Sequence, residues 1–172
     1  NGQAQQGVLA ASLADAQLAA AQAAALEAHG TGTALGDPIE AGAVAAVLLA
    51  ARSSAPLVAG SLKANAGHTE PGAGLAGAST LLLQLCDAKV APNAQLRSLN
   101  PHVGGAMRSG GCALPVQLGA FGAEVRSGGV SSFGYSGTIA HAVLRHSAQG
   151  TLHALPFPCF AYKRHAFPWR DP

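Results

Sequence analysis

The chain has 172 residues, of which 49% are apolar and only 10% are charged, and its formal net charge is +2. This apolar content supplies a sizeable core and argues against disorder, while the absence of a basic block beyond Lys163–His165 argues against nucleic-acid binding. The longest apolar runs, 41–51 and 75–83, are too short to cross a bilayer, and the polar N-terminus lacks the pattern of a secretory signal.

Cysteine usage indicates the compartment. Cys86, Cys112 and Cys159 are widely spaced, form no metal-binding pattern and are odd in number, so they do not suggest a disulfide framework. We therefore predict a reducing, cytoplasmic environment. The low charge also predicts poor solubility in isolation, or large surfaces that another polypeptide normally covers.

Helices and short strands alternate in the first half of the chain. Partial helical spacing predicts a helix over Val8–Leu18, and Leu26–His29 is typical of a brief strand that runs into a glycine-rich turn. Asp37, followed by proline and then by Glu40 three residues later, predicts a capped helix that extends to about Arg52. This alternation indicates the α/β class.

The second half continues the alternation. In chain order we predict a buried strand over 57–62, a loop over 63–71, an apolar helix over 72–88, an irregular stretch over 93–103, an exposed glycine-rich excursion over 104–111, and strands over 129–133 and 138–145. A tight turn at Gly134–Gly137 joins the last two strands.

Residues 1–147 form the predicted domain. In 148–172, prolines and aromatic residues predict an extended segment packed on that domain, with a disordered linker as the alternative.

Three polar, glycine-rich segments follow predicted strands. Their sequences are EAHGTGT at 27–33, GSLKANAGHTE at 60–70 and SSFGYSGT at 131–138. In α/β proteins ligands are usually held at the ends of strands, and glycine allows close approach of the backbone. These segments therefore define the candidate site.

Chemistry in the first two segments centres on His29, Lys63 and His68. A neutral imidazole at His29 can donate a hydrogen bond to a developing oxyanion, and Thr31 and Thr33 can hold a polar ligand arm. Lys63 could bind a carboxylate or keep a neighbouring imidazole neutral through like-charge repulsion. The competing interpretations are a satisfied structural histidine and a solvated loop lysine.

Other known motifs fit poorly. GAGLAG at 72–77 matches a dinucleotide fingerprint, but a loop precedes it and no acid follows about twenty residues on, so its glycines indicate close helix packing. No histidine pair has the zinc-protease spacing, which argues against a metal site. The Gly134–Gly137 turn lacks the frame of a nucleophile elbow.

Taken together, the three segments resemble the ketosynthases of polyketide synthases. EAHGTGTALGDPIE at 27–40 is similar to the first histidine motif of that family, GSLKANAGHTEPGAG at 60–74 to its lysine and second-histidine motif, and VSSFGYSGTIAH at 130–141 to its C-terminal signature. The resemblance implies the C-terminal half of a thiolase-like, layered αβαβα fold. It also implies an acyltransferase that performs decarboxylative Claisen condensation of a cysteine-held acyl thioester with a malonyl-type extender on acyl carrier protein.

Residue roles follow from the same resemblance. His29 and His68 would donate hydrogen bonds to the enolate oxygen, with Lys63 supporting them. Thr31 and Thr33 would bind the phosphopantetheine arm of the carrier protein, and no cofactor would be bound directly.

The turn within the third segment would supply further groups. The Tyr135 N–H, beside Gly134, would be an oxyanion donor, and the Tyr135 ring would gate the acyl pocket. The implied partners are acyl carrier protein, the N-terminal half of the ketosynthase domain and a second copy in a homodimer.

Two departures from the family pattern qualify this expectation. The family's nucleophilic cysteine belongs to the first half, and none of the three cysteines here has its context, so this chain alone should not condense substrates. Ile139 also replaces the asparagine of the family signature. The alternative function is a non-elongating, ketosynthase-like domain that docks carrier-bound chains, and a third is a thiolase-fold enzyme that uses free coenzyme A.

Overall fold

A computed structural model describes residues 1–50, 52–53, 55–94, 96–107, 111–121 and 125–147, so the predicted segment 148–172 lies outside the described residues. The helices are α1 (Gly2–Asp15), α2 (Gly36–Val44), α3 (Lys63–Ala66), α4 (Ala73–Asp87) and α5 (Pro101–Met107). The strands are β1 (Ala25–Glu27), β2 (Leu57–Gly60), β3 (Lys89–Val90), β4 (Cys112–Ala113), β5 (Gly119–Ala120), β6 (Val125–Phe133) and β7 (Ile139–Ser147).

The main sheet brings the three glycine-rich segments to one edge. Its strand order is β4-β2-β1-β6-β7, and the β1 strand pairs in parallel with both β2 and β6. Glu27, the last residue of β1, pairs with Gly60 on one side and with Val130 on the other. Because the carboxyl ends of parallel strands share an edge, the segments after β1, β2 and β6 leave the sheet together.

Helices cover both faces of this sheet. On one face, α1 and α2 pack in a core with β1 and β2 that includes Leu9, Leu13, Val44, Leu26 and Leu57. On the other, α4 packs on β1 and β6 around Leu81, Leu85, Ala25 and Val130. These layers confirm the predicted α/β class.

The α4 helix shows two contrasting faces. Its buried face consists of Ala73, Gly77, Leu81 and Leu85, spaced four residues apart. A Cβ added at Gly77 would lie 3.2 Å from Glu27 Cγ, so this glycine packs closely against the sheet, as predicted for the glycines of 72–77. The opposite face exposes Leu75, Leu82 and Leu83 to solvent, which is unusual for a soluble surface.

The predicted capping box at the start of α2 is wrong. The N-cap residue of α2 is Leu35, and it makes no side-chain hydrogen bond. Asp37 Oδ1 instead accepts the N–H groups of Gly32 (3.1 Å) and Thr33 (3.3 Å). The Glu40 carboxylate also turns to the loop after β1, where it accepts backbone N–H groups that would otherwise be unpaired. The helix continues over Ala45–Leu49 in π-helical geometry.

Two segments expected to be irregular are partly helical. Within the predicted loop 63–71, α3 forms directly after β2, and a 3-10 turn covers Glu70–Gly72. The α5 helix occupies part of the predicted irregular and exposed stretches, and its Gly104 is buried. Asn100 Oδ1 accepts the His102 N–H at 3.0 Å, so asparagine followed by proline acts here as a helix start.

None of the helices in the described ranges is both long enough and apolar enough to cross a membrane.

Candidate active site

The loops at the carboxyl edge of the sheet enclose a cavity of about 580 Å³. The polar and charged residues that line it include Thr31, Asp37, Glu40, Lys63 and His68, and the apolar ones include Leu96, Leu99, Val103, Met107 and Leu114. A cavity lined by both polar and apolar side chains suits a ligand that carries both kinds of surface.

Residues from all three glycine-rich segments meet beside this cavity. The ring centroids of His29 and His68 lie 5.7 Å apart, with the ring planes at 88°. The Phe133 ring, at the end of β6, lies 5.7 Å from the His29 ring. The sequence analysis did not single out Phe133, although an aromatic residue at the end of the third predicted strand was the available signal.

His29 is held in the neutral form. Burial is the largest cause that lowers its pKa, to about 4, and the electrostatic effects of Lys63 and then of His68 add to it. Its Nδ1 atom is buried and has no hydrogen-bond partner among the described residues. Buried polar atoms are normally paired, so the interpretation of His29 as a satisfied structural histidine is not supported.

The His68 ring has one nitrogen engaged and one available. Its Nδ1 accepts the backbone N–H of Glu70 at 3.2 Å. In the neutral ring this bond assigns the proton to Nε2, which then acts as a donor. The backbone reaches this geometry through positive φ at Gly67 (79°) and at Glu70 (45°).

Lys63 begins α3 on a tightly fixed piece of backbone. Asn93 Oδ1 accepts the Ser61 N–H at 3.1 Å, and Asn93 Nδ2 donates to the Ala59 carbonyl at 3.2 Å. Asn65 bonds to the Pro92 carbonyl and to the Ala94 N–H. Burial lowers the pKa of Lys63, whereas the carboxylates of Glu27 and Glu40 oppose that change. Lys63 is therefore a half-buried cation among buried acids, and not a solvated loop lysine.

Glu27 and Glu40 are site residues that the sequence analysis missed. Their side chains are only 2% and 6% exposed. Glu40 accepts the N–H groups of His29 (2.8 Å) and Gly30 (2.9 Å), which fixes the backbone of the catalytic candidate. Burial raises the pKa of both carboxyls, to about 7 for Glu27. The available signal was an acidic residue at the end of an apolar strand.

The two threonines have different surroundings. Thr31 lines the cavity, as a ligand-binding residue would. The Thr33 hydroxyl is exposed and accepts the Gly36 N–H at 3.1 Å, which ties the loop to the start of α2. Phosphopantetheine binding by these two residues stays a prediction.

The β6–β7 turn lies farther out. Gly134 donates its N–H to the Thr138 carbonyl at 2.6 Å, which closes the predicted tight turn. The Tyr135 ring is fully exposed and does not line the cavity. The oxyanion and gating roles of Gly134 and Tyr135 stay predictions. Among the residues that the structure describes, no group of three or more His, Cys, Asp or Glu side chains could hold a metal ion.

Known proteins are similar to this chain in sequence. The family described as β-ketoacyl synthase, C-terminal domain, matches residues 1–97. The spectinabilin polyketide synthase system protein NorA′ of Streptomyces orinoci is 43% identical over 150 residues, which cover 87% of this chain and 4% of that protein. The mycoketide-CoA synthase of Mycobacterium tuberculosis is 40% identical over 146 residues, covering 84% of this chain and 4% of that protein.

Solved structures agree with this match. An oxazolomycin ketosynthase domain from Streptomyces albus has a TM-score of 0.79 and 32% identity, over 88% of this chain and 27% of that one. Ketosynthase twelve of the bacillaene polyketide synthase of Bacillus amyloliquefaciens has a TM-score of 0.78 and 30% identity, over 84% and 26%.

The chain therefore belongs to the β-ketoacyl synthase C-terminal domain family. It represents the C-terminal portion of a ketosynthase domain of the polyketide synthase type, with the thiolase-like fold that the sequence predicted. It spans 4% of each of the two relatives above and about a quarter of each solved ketosynthase chain.

Proposed function

We propose that this chain supplies half of the active site of a condensing ketosynthase, an acyltransferase that forms a carbon–carbon bond. In that reaction the malonyl carboxylate leaves as CO2, and its bonding electrons form an enolate on the thioester. The enolate carbon attacks the acyl carbon held on cysteine, and the cysteine sulfur leaves.

The observation that supports this proposal most is the pair of imidazoles at His29 and His68, beside the ammonium group of Lys63. Enolate formation places negative charge on the thioester oxygen, and preorganised donors in a partly dry site stabilise such charge best. The low pKa of His29 keeps it a neutral group. The Nε2–H of His68 and the positive charge of Lys63 then complete an anion-stabilising site.

The cavity beside these residues suits the substrate carrier. A phosphopantetheine arm alternates amide groups with short alkyl segments. Among the residues that line the cavity, Thr31 would bond the amides, whereas Leu99, Val103 and Met107 would contact the alkyl segments. Acyl carrier protein would present this arm, so it is the proposed macromolecular partner.

The exposed leucines of α4 support a second partner, the N-terminal half of the domain. Leu75, Leu82 and Leu83 are 77%, 52% and 63% exposed. The solved ketosynthase chains extend far beyond the matched region, because this chain covers only 27% and 26% of them. The N-terminal half would bury this face and supply the nucleophilic cysteine, without which the fragment should be inactive. Association of two completed domains would give the predicted homodimer.

Reconstitution tests the proposal. The chain would be joined to a ketosynthase first half that carries the cysteine, supplied with an acyl donor and with malonyl carrier protein, and assayed by mass spectrometry of the carrier-bound product. We expect a β-ketoacyl product that disappears when that cysteine is replaced by alanine. Binding of acyl carrier protein with no carbon–carbon bond formation would support the non-elongating alternative instead.

A further inference from the structure

Glu27 lies at a junction of three elements, on the side of the sheet away from the main cavity. It ends β1, and its side chain packs against α4 at Gly77, where a Cβ would come within 3.2 Å of Glu27 Cγ. A larger residue at position 77 would displace the carboxylate. The α4 helix thus provides space for an acidic side chain that is only 2% exposed.

The carboxylate makes a short bond to the segment that carries the lysine. Glu27 Oε1 accepts the Leu62 N–H at 2.6 Å, and Leu62 directly precedes Lys63. A buried carboxylate is costly unless hydrogen bonds and an opposite charge compensate for its lost hydration. The Leu62 N–H supplies the bond, and Lys63 supplies the charge.

The electrostatic effect is mutual. Among the groups that oppose the effect of burial on Lys63, Glu27 is the largest and Glu40 is second. Thr80 and Gln84 of α4 line the small cavity against Glu27, and neither of them titrates. The local charge balance therefore rests on the Lys63 ammonium and the carboxyl groups of Glu27 and Glu40. Two further titratable groups adjoin them, Asp37, which acts on Glu40, and the neutral His29, on which Lys63 acts.

We propose that Glu27 is a positioning residue of the ketosynthase site, whose carboxylate holds the Leu62–Lys63 backbone against β1 and keeps the Lys63 ammonium protonated. The inference rests on the proposed function for its catalytic consequence, whereas the coupling of Glu27 to Lys63 can be measured without turnover.

The test separates the charge of Glu27 from its shape. In the completed ketosynthase, Glu27→Gln keeps an oxygen acceptor for the Leu62 N–H and removes the charge. Glu27→Asp keeps the charge and withdraws it from Leu62. Asp15→Asn, at an exposed carboxylate at the end of α1, is the matched control.

Lys63 protonation is read from the pH dependence of its acetylation by acetic anhydride, followed by peptide mass spectrometry. We expect Glu27→Gln to lower the midpoint of Lys63 acetylation by about one pH unit. This is the lower end of the range by which an adjacent opposite charge shifts a pKa. Asp15→Asn should leave it unchanged, and Glu27→Asp should change it less than Glu27→Gln does.

Turnover gives the second measurement. In Glu27→Gln the alkaline limb of the pH profile of kcat should move to lower pH by a similar amount. Above the Lys63 midpoints of both forms this shift is about a tenfold loss of rate. KM should change little. Below both midpoints Lys63 is protonated in either form, so the two rates should converge there.

The outcomes distinguish the two proposals. A Lys63 midpoint that is unchanged in Glu27→Gln, or that falls equally in Glu27→Gln and Glu27→Asp, would overturn the positioning role. If the wild type does not condense substrates but the midpoint still falls only in Glu27→Gln, the condensing function fails while the coupling stands. If Glu27→Gln does not fold, Glu27→Asp decides alone: a wild-type midpoint with reduced kcat supports the role, and a lowered midpoint contradicts it.

Discussion

His29 and His68 meet edge to face, with their ring centroids 5.7 Å apart and their planes at 88°. One ring follows β1 and the other follows α3, so their meeting depends on the parallel pairing of β1 with β2. The His29 backbone N–H donates to the Glu40 carboxylate, which fixes the main chain under the first ring, and the second ring is held directly because His68 Nδ1 accepts the Glu70 N–H. The pair is therefore preorganised before any ligand enters.

Removal of either imidazole should impair the chemical step. In the completed ketosynthase, His29→Ala or His68→Ala should each reduce kcat by at least about 100-fold, as the loss of one oxyanion donor typically does. The measurement is malonyl decarboxylation and product formation on the carrier protein. His102→Ala, at an exposed histidine of α5, should retain activity. Unchanged rates in both site variants would remove the roles assigned to them.

The sheet should not tolerate a side chain at Gly128. A Cβ there would lie 2.9 Å from the Ala25 carbonyl oxygen and 2.9 Å from Leu81 Cδ1. Gly128→Ala should therefore lower the free energy of unfolding by about 1–3 kcal/mol, the usual cost of overpacking. Gly7→Ala is the matched control, since nothing lies within 4 Å of its Cβ, and it should stabilise α1 by about 0.5–1 kcal/mol. Urea unfolding measures the free energy of unfolding of both variants. Equal changes in the two variants would contradict the packing argument.

His141 should make stability depend on pH. Burial lowers its pKa from 6.5 to about 4, and the ring bonds to Ser131 Oγ at 3.0 Å. Below pH 6.5 the unfolded chain binds a proton that the folded chain does not, so this contribution is complete above pH 6.5 and is lost as pH falls towards 4.

A variant isolates that contribution. The free energy by which the wild type is more stable than His141→Gln should decrease as pH is lowered from 6.5 to 4. Only the wild type loses the stability that the neutral, buried His141 ring contributes. Urea titrations at several pH values provide the measurement. A constant difference would show that His141 is not buried as a neutral ring.

The exposed face of α4 should make the isolated chain self-associate. Replacing Leu75, Leu82 and Leu83 together by glutamine should shift the isolated chain towards the monomer in size-exclusion chromatography. The same change in the completed domain should weaken the association of its halves. Glutamine at Val116 and Leu118, which are 64% and 67% exposed elsewhere, is the control. Monomeric behaviour of the unmodified chain would contradict this expectation.

Sequence patterns located most of the architecture. The predicted positions of α4, β2 and β7 agree closely with the observed ones, because apolar periodicity reports burial directly. The β6 strand begins at Val125, four residues before the predicted start at 129. The α1 helix begins at Gly2 and not at the predicted Val8, because Asn1 Oδ1 caps it by accepting the Gln3 N–H. The α5 helix was missed because its glycines outweighed the asparagine–proline signal at its start.

The candidate site was predictable only in part. The three segments and the pairing of His29 with His68 could be anticipated, since parallel strands bring their ends together. The hydrogen-bond partners of the carboxylates could not be anticipated. Asp37 and Glu40 have the spacing of a capping box, but the loop after β1 offers them N–H groups that only the folded chain brings near. The partner of Glu27 lies across a strand pair and leaves no trace in local spacing.

The asparagine clamp behind Lys63 has a practical consequence for domain engineering. Asn93 joins β2 to the Pro115 carbonyl beyond β4, and Asn65 is bonded to the 92–94 segment. A chimaera that exchanges only the lysine motif would separate these amides from their partners. A crossover point placed before Leu57 and another after Pro115 would transplant the whole clamp, and recombination inside that interval should yield misassembled hybrids.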